Sequence, residues 1–486
     1  MGDPGPLGPS AHARANPDRP AFVERGRTVT YGEFDARSDR IAAALAARGV
    51  APGERVAIML PNSVGFFEAW AAATKLQASV VLVNTHLKPD EVRYILDDSG
   101  AKVLLDDPDA VEAMATGAPP AGADLVPCEV LAAPVFYTSG TTGRPKGVVH
   151  GAFDGDRARL AQQGQVALWG WTADDVYLLS GPAYHAGPGG FVMSALYVGA
   201  TTVVLPRWDA REWLALVDRH RVTLSFMTPA HFIRILEVPP EERARHDTSS
   251  LRLVVHGAAP CPVEVKRRII EALPHTEIWE LYGASEGGAT RISPQEWLER
   301  PGSVGLPWPG VEIRVLGDDG EPLPPGEPGL VYVRPAGGAR FHYHGDEAKT
   351  AQAWRDDAFT VGDIGYLDAD GYLYLTDRAS DMVIRGGVNV YPREIEEVLY
   401  RHPAVVDCAV FGVPDERYGE QLRAVVEVRS PVDPAALQAH VRAHLADFKV
   451  PAEVEIVDEL PRNPNGKVMK RWLRERAWEG RDRRIG

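Results

Sequence analysis

The chain has 486 residues, a length typical of about two to four domains, and its 45% hydrophobic and 24% charged residues are those of an ordinary globular protein. Its net charge of −15 argues against general nucleic-acid binding and means that any polyanionic ligand needs a local basic site. No segment reaches the about 18 consecutive apolar residues of a transmembrane helix, and no signal peptide is evident, so we expect no membrane span and a cytoplasmic location.

The three cysteines, Cys128, Cys261 and Cys408, lie far apart along the chain. Their number is odd and their spacing matches no metal-binding motif, which favours reduced thiols.

Helix and strand patterns alternate through roughly the first half of the chain. Thr30 and Glu33 form a capping box at the start of a helix. Buried strands are predicted at residues 55–60, 80–83, 176–179, 203–205, 222–227 and 251–255. Strands that alternate with helices predict an α/β domain of mostly parallel sheets flanked by helices. Residues 107–134 are rich in Ala, Pro and Gly and are predicted to be a connecting segment.

A loop rich in glycine and hydroxyl residues lies between two short apolar strands at residues 135–137 and 148–149. It reads Thr138-Ser139-Gly140-Thr141-Thr142-Gly143-Arg144-Pro145-Lys146-Gly147. Glycine allows close approach of the backbone, while backbone N–H groups, hydroxyls and Lys146 can surround a phosphate. The run does not match the P-loop pattern. A flexible linker is the alternative, and the flanking strands argue against it.

The pattern changes in the C-terminal part of the chain. A small strand-rich subdomain is predicted at about residues 303–378, and a compact α+β domain at residues 382–486. In the latter we predict helices at residues 392–400 and 434–445, and strands at residues 405–411, 422–428 and 454–457.

Three further segments carry residues suited to nucleotide chemistry. They are Glu280-Leu281-Tyr282-Gly283-Ala284-Ser285-Glu286, the Gly362-Asp363-Ile364-Gly365 turn, and Asn463-Pro464-Asn465-Gly466-Lys467. A carboxylate suits a metal that bridges phosphates, and an acidic residue in a polar turn can accept ribose hydroxyls. Each also has an ordinary interpretation: a loop, an Asx-turn and an exposed lysine.

Together these motifs closely resemble those of the adenylate-forming superfamily, which includes acyl-CoA synthetases, peptide-synthetase adenylation domains and luciferases. The resemblance implies that Tyr282 stacks on adenine, Ser285 meets the α-phosphate, Glu286 holds Mg²⁺, and Asp363 and Arg378 contact the nucleotide. It implies a catalytic role for Thr138, Glu286 and Lys467, with the loop from Thr138 to Gly143 and Lys146 on the phosphates. Residues 1–378 would form the N-terminal domain, residues 379–381 a hinge at Ser380, and residues 382–486 a mobile lid.

The resemblance also assigns residues to the acyl pocket and to the acceptor path. Gly257-Ala258-Ala259 resembles the loop at the adenine and substrate edge, and Glu280, Gly283 and Gly257 fall in the same region. His185 is a pocket candidate, beside a run of small residues at 186–190 that predicts a roomy cavity. The Arg385-Gly386-Gly387 segment resembles the loop that faces the thiol tunnel of acyl-CoA synthetases.

We therefore expect an enzyme that uses ATP and Mg²⁺ to activate a carboxylic acid and then transfers the acyl group to CoA. The protein would act as a monomer or homodimer, with small-molecule partners and no nucleic acid. One alternative is an adenylating enzyme with another second substrate: a carrier protein, an amine, or nitrite activated for diazotisation. Another is a non-catalytic nucleotide-binding module, which the intact Lys467, Glu286 and Asp363 disfavour.

Overall fold

The computed structural model describes residues 7–118, 120, 122–139, 145–151, 155–463 and 466–479, with only the backbone of Thr138 and Ser139. The helices are α1 Pro9–Ala15, α2 Tyr31–Ala47, α3 Val64–Lys75, α4 Pro89–Ser99, α5 Pro108–Thr116, α6 Gly155–Trp169, α7 Ala186–Val198, α8 Ala210–His220, α9 Pro229–Glu237, α10 Pro240–Arg243, α11 Val263–Ala272, α12 Pro294–Glu299, α13 Glu347–Ala353, α14 Pro392–Tyr400, α15 Pro434–His444 and α16 Lys470–Ala477.

The strands follow the same chain order. They are β1 Pro20–Glu24, β2 Arg27–Thr30, β3 Arg55–Ile58, β4 Ser79–Leu82, β5 Val103–Leu105, β6 Val135–Ser139, β7 Pro145–Val149, β8 Val176–Leu179, β9 Thr201–Val204, β10 Leu224–Met227, β11 Leu253–His256, β12 Glu277–Ala284, β13 Gly287–Ile292, β14 Ser303–Pro307, β15 Glu312–Leu316, β16 Gly329–Arg334, β17 His342–Tyr343, β18 Trp354–Arg355, β19 Ala358–Phe359, β20 Asp363–Leu367, β21 Leu373–Arg378, β22 Val383–Arg385, β23 Val388–Val390, β24 Val405–Asp415, β25 Gly419–Val428 and β26 Glu453–Val457.

The chain forms two compact units. The first contains the described residues of Met1–Met227, Pro240–Val255 and Ala339–Gln352, and the second those of Thr228–Pro239, His256–Gly338 and Ala353–Gly486. The helix α9 is therefore separated from its sequence neighbours and belongs to the unit that holds the C-terminal part of the chain.

Parallel strands dominate the first unit. One sheet has the order β17-β7-β6-β4-β3-β5, in which β3 pairs parallel with β4 and β5, and β4 with β6. A second run of strands has the order β11-β10-β8-β9-β1-β2, with β8 parallel to both β9 and β10. Stacked Phe22, Phe67 and Trp70 fill the core between α3 and the strands. The predicted α/β class is confirmed.

The connecting segment predicted at residues 107–134 is partly wrong, because α5 lies within it. Asp107 caps this helix by accepting a hydrogen bond from the Asp109 amide, and Pro108 occupies the first helical position. Val111 and Ala115 are buried one turn apart. The prediction weighed the Ala and Pro content and overlooked this capped, periodic start.

Antiparallel strands dominate the second unit. Its larger run has the order β18-β19-β16-β20-β21-β14-β13-β12, with β15 paired to β16. A separate five-stranded sheet is built from β22 to β26, and α14 and α15 bury Ile395, Leu399, Leu437 and Val441 in its core. This is the small α+β domain predicted at the C-terminus, with the helix α14 at the predicted residues.

The three cysteines, all within the described part of the chain, are buried and form no disulfide. Across the described residues, no helix combines the length and apolar character needed to cross a membrane.

Candidate functional site

Tyr282, Asp363 and Arg378, which the sequence places far apart, meet in the second unit. The Tyr282 hydroxyl donates to Asp363 Oδ2 over 2.7 Å, and Arg378 Nε donates to Asp363 Oδ1 over 3.2 Å. Asp363 and Arg378 are register partners on β20 and β21. Burial and the neighbouring Asp363 carboxylate raise the pKa of Tyr282 well above its usual value, so its hydroxyl stays a donor.

The motif after Tyr282 forms a tight hairpin between β12 and β13. Ser285 and Glu286 occupy its two-residue turn, and a bulge lies between Tyr282 and Gly283. A Cβ on Gly283 would lie 2.9 Å from the carbonyl oxygen of Gly287, so only glycine lets the two strands approach this closely. The bulge and the glycine set the direction in which Tyr282 projects.

The Gly257-Ala258-Ala259 loop follows β11 and has an unusual backbone. Ala258 has φ +66°, a left-handed conformation that costs a non-glycine residue about 1–3 kcal/mol. A Cβ on Gly257 would lie 2.6 Å from the carbonyl oxygen of Leu281, which precedes Tyr282. The loop therefore lies against the backbone that carries the adenine-site candidate.

Glu280 is directed away from solvent and paired with a lysine. Lys266 Nζ donates to Glu280 Oε2 over 2.6 Å, and His256 Nε2 lies 3.6 Å from the same oxygen. All three side chains are buried. The pKa of His256 is well below its usual value because of burial and the Lys266 charge, which makes this histidine neutral. Glu280 of β12 thus lies in a buried cluster with Lys266 and with His256, the last residue of β11.

Lys467 lies in a turn anchored to the C-terminal sheet. The Lys467 amide donates to Asn463 Oδ1 over 3.0 Å, and Gly466 closes the turn with φ +78°. The side chain lies in the electrostatic field of Arg378, Asp381 and Asp363. Burial, together with Arg378, lowers the pKa of Lys467 to about 8, and the two aspartates oppose this. Lys467 thus lies within electrostatic range of the Asp363–Arg378 pair.

Ser380, the expected hinge residue, lies in a tight turn at residues 379–381. Arg474 of α16 fixes this turn by donating to the Ser380 carbonyl oxygen over 3.0 Å and to Asp381 Oδ1 over 2.8 Å. Lys470 of the same helix pairs with Glu396 over 2.6 Å. The pKa of Lys470 is raised: burial acts to lower it, but Glu396 and Asp377 outweigh burial.

The glycine-rich loop belongs to the first unit, where β6 and β7 form an antiparallel hairpin with Thr138 opposite Lys146. The predicted phosphate ligands Gly140, Thr141, Thr142 and Gly143 lie outside the described residues, as do the side chains of Thr138 and Ser139. Lys146 forms an ion pair with Asp346 and is 17% exposed. Its ammonium group is therefore held by a carboxylate.

His185, also in the first unit, precedes α7 and packs on the Tyr184 ring at a centroid distance of 4.6 Å. Burial lowers the pKa of His185 to about 4, so it is neutral at pH 7. Two glycines of the run that predicts a roomy cavity, Gly187 and Gly189, are closely packed, whereas a Cβ on Gly190 would have no atom within 4 Å. A Cβ on Gly187 would lie 2.4 Å from the Phe226 ring, and one on Gly189 would lie 2.3 Å from the Ala183 carbonyl oxygen. These glycines serve close packing.

Sequence patterns had not identified several charged contacts around these residues. Asp346 opposite Lys146, Lys266 behind Glu280, and Arg474 at the hinge turn all come from distant parts of the chain. Single charged residues in helices carry no signal of such pairing, because most of them are solvated.

Two sequence profiles match the chain. That of the AMP-binding enzyme covers residues 10–343, and that of the AMP-binding enzyme C-terminal domain covers residues 394–467. The chain belongs to the AMP-binding enzyme family.

Individual members of this family align over nearly the whole chain. The fatty acid–[acyl-carrier-protein] ligase ScoC of Streptomyces coeruleorubidus is 35% identical, over 98% of this chain and 97% of its own. The feruloyl-CoA synthase of an Amycolatopsis species is 36% identical, over 96% and 98%. The o-succinylbenzoate CoA synthetase MenE of Bacillus subtilis, in complex with the acyl-adenylate intermediate OSB-AMP, has a TM-score of 0.85 and 29% identity over 96% of this chain and 98% of its own. MenE is also known in complex with ATP and magnesium ion, with a TM-score of 0.84.

Proposed function

We propose that this AMP-binding enzyme converts a carboxylic acid, ATP and CoA to an acyl-CoA, AMP and pyrophosphate through an acyl adenylate. The arrangement that supports it most directly is the hydrogen-bonded set of Tyr282, Asp363 and Arg378 with Lys467 in its electrostatic field. The family resemblance assigns Asp363 to the ribose and Lys467 to the phosphate that reacts. The names of the feruloyl-CoA synthase and MenE relatives point to the same reaction class.

In the first step a carboxylate oxygen of the acid forms a bond to the α-phosphorus of ATP, and the bond to the pyrophosphate oxygen breaks. Negative charge grows on the oxygens around phosphorus. Lys467 and the Lys146 loop would stabilise this charge, while Asp363 would hold the ribose hydroxyls and Tyr282 the adenine ring. No side-chain nucleophile is required, since positioning and electrostatics supply the acceleration.

Glu286 would contribute one carboxylate oxygen to a magnesium ion that neutralises charge on the phosphates. Among the described residues, no group of three or more His, Cys, Asp or Glu side chains is placed to hold a metal ion by itself. A single carboxylate fits an ion that reaches the site together with ATP.

In the second step the CoA sulfur attacks the acyl carbon of the adenylate, AMP leaves with the bonding electron pair, and the thiol proton passes to solvent. A surface of the C-terminal part supports a nucleotide-bearing acceptor. Tyr418 and Phe448 are 39% and 41% exposed. Arg385 and Arg417 lie 5.3 and 5.1 Å from the Tyr418 ring centroid, and Lys449 lies 5.7 Å from that of Phe448. Exposed rings beside cations can stack on a base and pair with phosphates.

A carrier protein is the second candidate acceptor, because ScoC is named as an acyl-carrier-protein ligase and an acidic carrier would suit the same cations. An amine or an activated nitrite group would use the adenylation site unchanged. A carboxylic acid, aliphatic or aromatic, is the activated substrate whether the acceptor is CoA or a carrier protein.

The test is a panel of aliphatic and aromatic carboxylic acids incubated with ATP and Mg²⁺ and monitored for pyrophosphate, with and without CoA. Mass spectrometry should then find the acyl-CoA. Pyrophosphate release without any thioester would mean that the acceptor is not CoA. No pyrophosphate release with any acid or with nitrite would contradict the proposed adenylation reaction.

Phe448→Ala sharpens the choice of acceptor, with Trp472→Ala as a matched control. Trp472 is also an exposed aromatic next to an arginine, with Arg476 4.8 Å from its ring centroid. Phe448→Ala should raise KM for CoA about tenfold and leave KM for ATP unchanged, whereas Trp472→Ala should change neither. An unchanged KM for CoA in Phe448→Ala would exclude this surface as the CoA site.

A further inference from the structure

Arg234 lies on α9, in the part of the chain matched by the AMP-binding enzyme profile, and it contacts the part matched by the C-terminal domain profile. Its Nη1 donates to Glu427 Oε1 over 3.0 Å, and its Nη2 lies 3.8 Å from Glu459 Oε1. Both acidic residues belong to the C-terminal domain. The contact therefore joins residues of two domains, Arg234 and Glu427, which are 193 positions apart in the chain.

Glu427 continues this contact to the turn that carries Lys467. Its other carboxylate oxygen, Oε2, accepts from Arg462 Nη2 over 3.2 Å, and Arg462 Nη2 also donates to Asp407 Oδ2 over 2.6 Å. Glu427 is 5% and Arg462 12% exposed at the side chain. Opposite charges with little access to water hold their geometry more firmly than surface pairs do.

Arg462 in turn holds the turn itself. Its Nη1 donates to the Gly466 carbonyl oxygen over 3.1 Å, one residue before Lys467. The same turn packs directly on the start of α9, where a Cβ on Gly466 would lie 2.7 Å from Ala230 Cβ. The Lys467 turn is thus held by a chain of ion pairs through Arg234, Glu427 and Arg462, which we call the relay, and by contact with Ala230.

We propose that Arg234 is a positioning residue of the adenylation step, which keeps the Lys467 turn at the Asp363 site through Glu427 and Arg462. The inference rests on the proposed function, in which Lys467 stabilises the charge that grows in the first step. The family resemblance implies that the C-terminal domain is a mobile lid, and ion pairs between α9 and this domain favour the arrangement that holds Lys467 near Asp363. Loss of the relay shifts the protein away from that arrangement and leaves the second step intact.

The experiment measures each half-reaction in single turnover for Arg234→Ala, Arg234→Lys and the control Arg423→Ala. Arg423 pairs with Glu453 and Glu455, so its loss breaks ion pairs within the C-terminal domain alone. Arg234→Ala should slow adenylate formation about tenfold and change thioester formation from supplied adenylate less than about twofold. Arg234→Lys should recover part of the rate, and Arg423→Ala should resemble the wild type.

Equal losses in both half-reactions of Arg234→Ala, or a wild-type rate of adenylation, would overturn the inference. Ala230→Val provides a second variant that leaves every charge in place: the larger side chain should obstruct the Gly466 contact and slow adenylation alone. A wild-type adenylation rate in Ala230→Val would show that the turn does not depend on this face of α9.

Hydrogen–deuterium exchange of a peptide spanning residues 460–470 tests the relay without any substrate. Arg234→Ala should raise exchange in this peptide, while Arg423→Ala should not. If the wild type activates no acid, the proposed function fails and the exchange measurement alone decides on the relay. Unchanged exchange in Arg234→Ala would refute the relay whatever the activity.

Discussion

The family resemblance assigns both Lys146 and Lys467 to the binding of ATP, and the structure surrounds the two lysines with different charges. Lys146 is paired with Asp346, and this pairing holds the pKa of the Asp346 carboxyl below its usual value. Lys467 lies among Arg378, Asp381 and Asp363, and burial lowers its pKa to about 8. Lys146 is thus paired with a carboxylate, whereas the pKa of Lys467 lies near physiological pH.

The comparison shows that different contacts determine the charge of a lysine and the position of its side chain. An anionic ligand of Lys146 would compete with Asp346. Lys467 is carried on a turn whose position depends on contacts with α9, and an arriving phosphate would raise its pKa and favour the cation. We therefore expect Lys467, and not Lys146, to act in one half-reaction only.

Lys467→Ala should have the largest effect on adenylation among the variants of these two lysines and their partners. Loss of one transition-state electrostatic contact should slow adenylate formation by on the order of 10²-fold or more, while thioester formation from supplied adenylate stays nearly intact. Single-turnover measurement of each half-reaction is the check. Equal damage to both steps would mean that the lysine is not specific to the first.

Ser380→Pro should do the reverse. Proline fixes φ in the turn at residues 379–381, where the hinge rotation is expected, so adenylation should survive and thioester formation should slow. A uniform loss of both steps together with a lower Tm would indicate a folding defect instead, and circular dichroism would detect it.

Asp363→Ala tests the site at which Lys467 arrives. Loss of a buried, charged hydrogen-bond acceptor should cost roughly 2–4 kcal/mol in transition-state binding and raise KM for ATP far more than KM for the acid. Asp368→Ala is the matched control, since Asp368 accepts hydrogen bonds from Asp370 and Tyr372 in the turn of the same β20–β21 hairpin. An unchanged KM for ATP would remove Asp363 from the nucleotide site.

The pH dependence of adenylation tests the lowered pKa of Lys467. Because the pKa of Lys467 is lowered to about 8, the free enzyme loses this cation as pH rises through 8, and kcat/KM for adenylation should then fall about tenfold per pH unit. The corresponding fall in kcat should occur at a higher pH than the fall in kcat/KM, since bound phosphates raise the pKa of Lys467. Lys467→Arg should abolish the fall between pH 8 and 9.5, and a fall that persists in this variant would assign it to another group.

Asp346→Asn should have the smallest effect. Removal of the carboxylate frees Lys146 for the phosphates, so KM for ATP should decrease, by about threefold for a partly exposed pair. The effect should shrink at high salt, because screening weakens the Lys146–Asp346 pair in the wild type. A higher KM for ATP would mean that Asp346 holds Lys146 in its productive position.

Local patterns in the sequence were sufficient for much of the fold. Val176–Leu179 and Pro392–Tyr400 are found at the predicted residues, since buried strands and amphipathic helices that begin with proline depend on neighbours close in the chain. The error at α5 arose where composition was preferred to capping and periodicity. The family motifs led to Tyr282, Asp363, Arg378 and Lys467, and a glycine lies directly beside each of these residues except Arg378.

By itself the sequence determined the α/β class, the separate C-terminal domain and the residue types able to bind a nucleotide. Only the tertiary structure decided what surrounds them: Asp346 at Lys146, Lys266 behind Glu280, and Arg234 and Glu427 behind the Lys467 turn. The physical reason is range. Propensity, capping and periodicity act over a few residues, whereas the charge and pKa of a buried group depend on partners that chain folding brings from distant positions.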